Sequence, residues 1–460
     1  MIDKHAIVIG SSIAGLMTAR VLSERFARVT ILERDRLPNG PEERAGTPQG
    51  KHVHNLLVRG LRIMEDLFPG FDDELAAAGA PMMNYGRDVR LLVSFHQWMP
   101  NVETDFASRA ASRALVEHVI RHRVLALPNV EVCERVIVDG LLMNENKQRV
   151  TGVRVAPRGT SEPYDMQGDF VVDASGRRSR TPQWLEQLGL PTPETTVVDS
   201  EVGYATRLYR KPKGFDKWTV LYMPARLPSV RGGAIFEVEN DIWMASLGGY
   251  NRQYPPTNEA EFLEYARTLP QPDLYDAIKD GEPLSGIISY RNTRNIRYHY
   301  ERINLPTHFV LLGDAVCGFN PIYGQGMTSA AMGAVQLGET LDALHGDLDA
   351  VTAQFQKQLA ALHDSMWLLA TGEDLAFIHL ESGSGDGPDP GWFDRFVQKY
   401  AGYCVVTTPS DPHIVQTLFE ITNLTKPPTA LFHPRIAVSV LWHQFIRPRL
   451  GMSPKVAASN

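Results

Sequence analysis

A buried strand that runs straight into a glycine turn and a helix constrains this chain more than any other feature. His5-Ala6-Ile7-Val8-Ile9 reads as the strand, Gly10-Ser11-Ser12-Ile13-Ala14-Gly15 as the turn, and Leu16 to about Phe26 as the helix. A second strand, Arg28 to Leu32, ends in Glu33. This is a βαβ unit in which Gly10 permits the tight turn and Gly15 lets helix and strand pack closely. Glu33 follows Gly10 at roughly the 20-residue distance at which an acid meets the ribose hydroxyl of a bound dinucleotide. One position departs from the pattern. The middle glycine is Ser12, so the backbone must approach a pyrophosphate past a small side chain.

A second strand-loop-helix unit stands far downstream. Phe309-Val310-Leu311-Leu312 ends at Gly313-Asp314, a loop with Pro321, Gly324, Gln325 and Gly326 follows, and a small-residue helix runs from Thr328 to Leu344. Asp314 at the carboxyl end of the strand suits a ribityl or ribose hydroxyl. The free N–H groups of the helix start suit negative charge.

Between these units, Leu37 to Lys51 reads as a long loop, and Gln49-Gly50-Lys51-His52-Val53-His54 precedes an amphipathic helix from Asn55 to Phe68. His52 and His54 lack a third ligand at a metal spacing, so a loop lying over a cofactor is the better reading. Ser112-Arg113 opens a helix to about Leu127, with Arg113 either solvated or reaching a phosphate or ribose. Val130–Met143 and Val150–Val155 read as a hairpin around the polar turn Asn144–Lys147, and Asp169–Asp173 as a buried strand ending in Ala174-Ser175-Gly176.

From about Glu194 to Arg297 the texture becomes that of an antiparallel sheet, with short β-branched or aromatic runs between turn residues and one helix, Glu259–Leu269. Tyr204, Tyr222, Phe236, Trp243 and Tyr290 either face a substrate or pack a second core. Helices follow at Ala350–Leu369, Trp392–Tyr400 and His413–Thr422, with a Gly/Ser/Asp/Pro-rich loop from Glu381 to Gly391. The tail from Ala430 to Leu450 sets Ile436, Val438, Val440, Leu441, Trp442, Phe445 and Ile446 among basic residues. It reads as a packed terminal helix, with a membrane surface or a pocket cap as the alternatives.

The net charge of −7 gives no basic footprint for nucleic acid. Cys133, Cys317 and Cys404 are odd in number and far apart, which fits a reducing, cytoplasmic setting. The first strand starts at about His5 and leaves no room for a signal peptide, and no apolar run reaches the roughly 18–20 residues of a membrane span. The expectation is a soluble cytoplasmic protein.

The glycine turn with Glu33, Ser112-Arg113, and Gly313-Asp314 followed by Pro321 and Gly324-Gln325-Gly326 resemble the FAD-dependent monooxygenases of the hydroxybenzoate hydroxylase fold, over about residues 5–345. Pro48–His54 and Phe319–Met327 resemble most closely a bacterial branch that includes polyether polyene epoxidases, and more distantly squalene epoxidase.

The resemblance implies an α/β (α+β) architecture: a Rossmann-like FAD-binding domain (1–193 and 301–345), an inserted antiparallel-sheet substrate domain (194–300) and a C-terminal helical region (346–460). It implies that Gly10, Ser12, Ile13, Ala14 and Gly15 line the FAD pyrophosphate. Glu33 would hold the adenosine ribose, and Arg113 would reach the ribityl-phosphate region. Asp314 would hold the ribityl chain, and Pro321, Gly324, Gln325, Gly326 and Met327 would lie beside the isoalloxazine, with Pro321 positioning its peroxide. Arg34, Lys51, Val136 and Asp173 complete the implied cofactor contacts.

Single-component hydroxylases carry an Asp-Gly pair that contacts FAD and NAD(P)H. Here the matching place reads Asp173-Ala174-Ser175-Gly176, a variant also found in flavin halogenases and geranylgeranyl reductases. Electrons from NADPH or NADH would then arrive directly or through a separate flavin reductase. The implied reaction inserts one oxygen atom of O2 into a lipophilic substrate through a flavin C4a-hydroperoxide. It would epoxidise a polyene or terpenoid alkene or hydroxylate an aromatic ring, and it needs no protein base. A flavin-dependent reductase of isoprenoid double bonds is the alternative. The halogenase signature Trp-x-Trp-x-Ile-Pro is missing, since none of the seven tryptophans has another two residues away.

Overall fold

The computed structural model describes residues 2–94, 97–159, 162–382 and 392–450. Five parallel strands form the central sheet, in the order Phe309–Leu311, Phe170–Asp173, Ile2–Ile9, Phe26–Leu32, Val130–Cys133. A parallel sheet covered on both faces requires nearly continuous apolar strands. Phe170, Val171 and Val172 meet that demand with no exposed surface. The helices Ile13–Ser23 and Gly326–Ala343 pack against each other over this sheet, so the two glycine-rich units become neighbours. Val130–Cys133 joins this sheet rather than the expected hairpin, because Arg135 turns the chain through φ 59° before Val136. The hairpin is Val136–Met143 with Val150–Pro157, and Tyr164–Gln167 is its third strand.

The second sheet has seven strands, ordered Ile288–Tyr290, Gly203–Arg210, Ile242–Gly249, Arg231–Val238, Val220–Met223, Val89–Ser94, Gln97–Trp98. It is not confined to residues 194–300. Val89–Ser94 pairs parallel with Val220–Met223 and draws an earlier segment into the sheet. Side chains alternate across a strand, so the register decides which face each aromatic serves. Tyr209, Ile235, Trp243 and Ala245 pack against the helices Glu259–Arg267 and Asp273–Ile278 to form the second core. Tyr204, Thr206, Phe236, Ser246 and Gly248 sit on the opposite face.

The helix expected over Ala350–Leu369 runs from Leu348 to Ser382, passing through Thr371-Gly372 without a break. Helices Trp392–Thr407, Pro412–Thr422 and Pro434–Leu441 follow, the last continuing into a wider turn over Trp442–Ile446. The expected loop from Glu381 to Gly391 lies almost wholly outside the described residues. Among the described residues no helix is long and apolar enough to cross a membrane.

Candidate functional site

The glycine turn is built as tightly as a phosphate cradle requires. Gly10 has φ +98°, and a Cβ there would stand 2.8 Å from the Ala174 carbonyl oxygen. A Cβ on Gly15 would stand 1.8 Å from the Gly10 carbonyl oxygen. Ser12 caps the helix with extended backbone while its hydroxyl accepts from Arg113 Nη2 at 2.6 Å, so Arg113 reaches the turn itself. Ser112 fixes the start of the Arg113 helix by accepting from the Leu115 N–H at 3.1 Å.

Glu33 is buried and engaged by the protein. Its Oε2 accepts from the Ser11 N–H (2.9 Å) and hydroxyl (2.5 Å), and its Oε1 accepts from the Asp35 N–H (2.9 Å). Arg44 Nη1 lies 3.2 Å from the same carboxylate, while Arg44 Nε donates to Glu117 at 2.9 Å. Burial works against ionisation of Glu117, but Arg113, Arg44 and Arg121 outweigh it and hold its carboxyl below the usual range. An adenosine ribose meeting Glu33 therefore meets a carboxylate that Arg44 already faces. Arg34 donates to the Gly46 carbonyl at 3.2 Å, and the Val136 N–H donates to the Glu33 carbonyl at 2.9 Å, so both sit at this end. Lys51 is exposed, at the end of the single turn Pro48–Lys51.

The second unit closes on the first at Gly313. Gly313 has φ +63°, and its Cβ position is 3.0 Å from the Ala14 Cβ. The Cβ position of Gly326 is 4.0 Å from Asp314 Oδ1, and that of Gly324 is 3.2 Å from the Asn55 Cβ. Asp314 is half-buried and pairs with Arg177 Nε at 3.4 Å. Gln325, Thr328 and Ser329, around the first turn of the helix Gly326–Ala343, carry buried side-chain oxygens with no protein partner. Gly10, Ala14, Asp314 and this partnerless helix start fit a cofactor with a pyrophosphate and a hydroxylated chain. Asp173 does not belong to that set. Its buried carboxylate accepts from the Ser175 N–H and from the hydroxyls of Ser175, Ser179 and Thr181, all at 2.6–2.9 Å, so it shapes its own turn.

A cavity of about 410 Å³ lies under the loop Pro321–Gln325. Tyr204, Tyr222 and Phe236 line it from the seven-stranded sheet, Asn55 and Leu57 from the segment after His54, and Phe419 from the helix Pro412–Thr422. Trp243 does not reach it. One residue out of phase with Phe236's face, it stacks on Trp218 at 5.0 Å in the second core. Tyr290 stands behind the wall, stacked on Tyr204 at 5.5 Å. His52 packs edge-on to Tyr204 and shares a 2.8 Å hydrogen bond with the Thr206 hydroxyl. Burial pushes its pKa down to about 4, so it is neutral at physiological pH. His54 Nδ1 is 2.9 Å from the His52 carbonyl. Among the described residues no group of three or more His, Cys, Asp or Glu side chains is placed to hold a metal ion.

One polar cluster had no sequence signature. Asp374, fully buried on the long helix, accepts from Tyr323 Oη (2.6 Å), Asn295 Nδ2 (2.6 Å) and Asn320 Nδ2 (3.1 Å). Burial raises its pKa. The Tyr250 hydroxyl lies 3.4 Å from that of Tyr323, and its ring stacks on Phe377 at 3.8 Å. Asn320 and Tyr323 flank Pro321, so this cluster clamps the loop over the cavity from behind. Tyr250 and Tyr323 themselves line the cavity.

Comparison with known proteins agrees with this geometry. Residues 3–348 match the family described as FAD binding domain. Protein Rv3254 of Mycobacterium tuberculosis (strain ATCC 25618 / H37Rv) is 32% identical over 412 residues, covering 85% of each chain. A kynurenine 3-monooxygenase of Salinispora arenicola (strain CNS-205) is 27% identical over 385 residues, covering 77% of this chain and 75% of that one. Among solved structures, the flavin-dependent brominase Bmp2 has the same fold. Its TM-score is 0.65 at 14% identity, covering 91% of this chain and 93% of its own.

Proposed function

We propose that this chain, which belongs to the FAD-binding-domain family and is an FAD-dependent monooxygenase, inserts one oxygen atom of O2 into a lipophilic substrate held beneath the loop Pro321–Gln325. The observation that carries this reading is the apolar, tyrosine-lined cavity of about 410 Å³ directly under that loop. Reduced FAD, when bound, supplies the oxygen-activating chemistry.

The chain's own residues hold and shield. Gly10 to Gly15 and Arg113 would hold the pyrophosphate, Asp314 a ribityl hydroxyl, and the N–H groups from Gly326 onward the electron-rich edge of the ring system. Leu57, Phe236 and Phe419 would keep water from the reacting carbon. Arg226 lines the cavity with a buried Nε that has no protein partner, and would hold an oxygen acceptor on an otherwise apolar substrate.

The predominance of apolar lining supports an alkene of polyene or terpenoid type, epoxidised without a protein base, ahead of ring hydroxylation. The turn Asp173-Ala174-Ser175-Gly176 favours a separate flavin reductase as electron source.

The test is turnover of polyenes, terpenoids and phenols by the holoenzyme under isotopically labelled O2, with NADPH alone and then with an added flavin reductase. A product carrying one labelled oxygen is expected. A product that gains two hydrogens without oxygen would transfer the assignment to an isoprenoid reductase, and a halide-dependent product to a halogenase.

A further inference from the structure

Beyond the cavity, the chain exposes an apolar stripe that folding leaves uncovered. In the helical segment from Pro434 to Ile446, Ile436 and Val440 are buried at 1% and 2% exposure against Ile414, Ile421 and Leu431. Val438, Leu441 and Trp442 follow the i, i+3, i+4 spacing of a single helical face, and Phe445 and Ile446 extend it through the wider turn, Phe445 also packing edge-on to Tyr403 at 5.1 Å. Their exposures run from 37% for Phe445 to 65% for Val438. A core-forming helix turns its apolar stripe inward. This segment has one inside and a second, larger one outside.

The charge around the stripe singles out its partner. From Ile421 onward the sequence contains no aspartate or glutamate; Lys426 is paired with Glu420 at 2.7 Å and Arg447 is buried, which leaves Arg435 and Arg449 as the cations beside the stripe in a chain whose net charge is −7. Arg435 and Arg449 are exposed beside the stripe. Two copies of so cationic a face would repel each other, whereas an anionic surface complements it. Aromatic and aliphatic side chains on one face, flanked by arginine and free of acids, suit the boundary between headgroups and acyl chains.

We propose that the Val438–Ile446 face docks on the surface of an anionic lipid bilayer. The docked face is then separated from the cavity by one helix, Pro412–Thr422, which buries Ile414 and Ile421 under the tail and turns Phe419 to the cavity. Docking holds the enzyme where lipophilic compounds concentrate, with no membrane-crossing helix among the described residues.

The experiment is flotation of the full-length, FAD-loaded protein with vesicles of phosphatidylcholine alone or mixed with phosphatidylglycerol. We expect the protein to float with the mixed vesicles only, and added salt to release it. Leu441→Ser with Trp442→Ser should lower partitioning at least about tenfold, and Arg435→Gln with Arg449→Gln should abolish the preference for phosphatidylglycerol. These positions are exposed, so flavin content and circular dichroism should match the parent. Absence of flotation by the parent protein, or flotation that both double variants retain, would overturn the proposal. So would a dimer in light scattering that Leu441→Ser with Trp442→Ser dissociates, since that assigns the face to a second copy.

Discussion

The Tyr323 hydroxyl donates a 2.6 Å hydrogen bond to Asp374, joining the loop over the cavity to the long helix Leu348–Ser382. Asp374 also accepts from Asn295 and Asn320, so a single buried carboxylate fixes both sides of Pro321. Tyr323→Phe removes a hydrogen bond to a buried acid and should cost about 1.5–3 kcal/mol. Asp374→Leu should cost more, since three donors lose their acceptor together. Urea unfolding of the holoenzyme, followed by flavin fluorescence, measures both. Equal midpoints for parent and variants would show that the clamp carries no stability.

Gly15→Ala sets a methyl group where the Gly10 carbonyl oxygen stands, 1.8 Å from the ideal Cβ position. The turn must open, and the protein should purify largely without flavin. The ratio of flavin to protein absorbance reads this directly. A variant that keeps the parent ratio would remove the Gly10–Gly15 turn from the binding site.

Phe236 and Trp243 lie on adjacent strands but serve opposite faces of the sheet. Phe236→Ala should widen the cavity and change KM or the products formed. Trp243→Ala should lower stability by about 3–5 kcal/mol, as loss of a large core aromatic does, and leave substrate preference unchanged. Thermal unfolding and product profiles on the two variants separate the roles. Altered products from the tryptophan variant, or unaltered kinetics from the phenylalanine variant, would reverse them.

His52 gives a pH dependence with a definite sign. Burial lowers its pKa from 6.5 to about 4, so between these values the unfolded chain binds more protons than the folded one. The contribution of His52 is complete above about pH 6.5 and is lost as the pH falls towards 4, amounting to roughly 3 kcal/mol. Denaturant unfolding at stepped pH should show this decline, and His52→Gln should flatten it. A variant as acid-sensitive as the parent would exclude His52 as a contributor.

The units that sequence made legible are local. Gly10 to Glu33, Ser112-Arg113 and Gly313 to Gly326 each announce themselves within a few dozen residues, through strand, turn and helix signals in fixed order. What escaped is non-local or a matter of phase. Trp243 sits in the strand Ile242–Gly249, which is largely apolar on both sides in sequence, so no polar alternation tells which side a residue takes. Thr371-Gly372 resembles a helix end, yet the helix continues, because Asp374 and Phe377 find partners at Tyr323 and Tyr250. Glu373 and Asp374 are adjacent acids that look alike in the sequence. Only the fold separates them, turning Glu373 to the cavity and Asp374 to the clamp. The parallel pairing of Val89–Ser94 with Val220–Met223 joins segments more than a hundred residues apart, and no local pattern encodes it.

That pairing limits how this enzyme can be recombined. A graft of residues 194–300 onto a relative would carry Val220–Met223 without its outer neighbours Val89–Ser94 and Gln97–Trp98. The strand would then have to pair with the host's own counterpart of Val89–Ser94, and a mismatch there leaves hydrogen-bonding groups bare, an invitation to pair with another molecule. The sheet that walls the cavity is therefore assembled from two pieces of sequence, and a chimaera that exchanges only the larger one should precipitate wherever the host's own segment fails to match it.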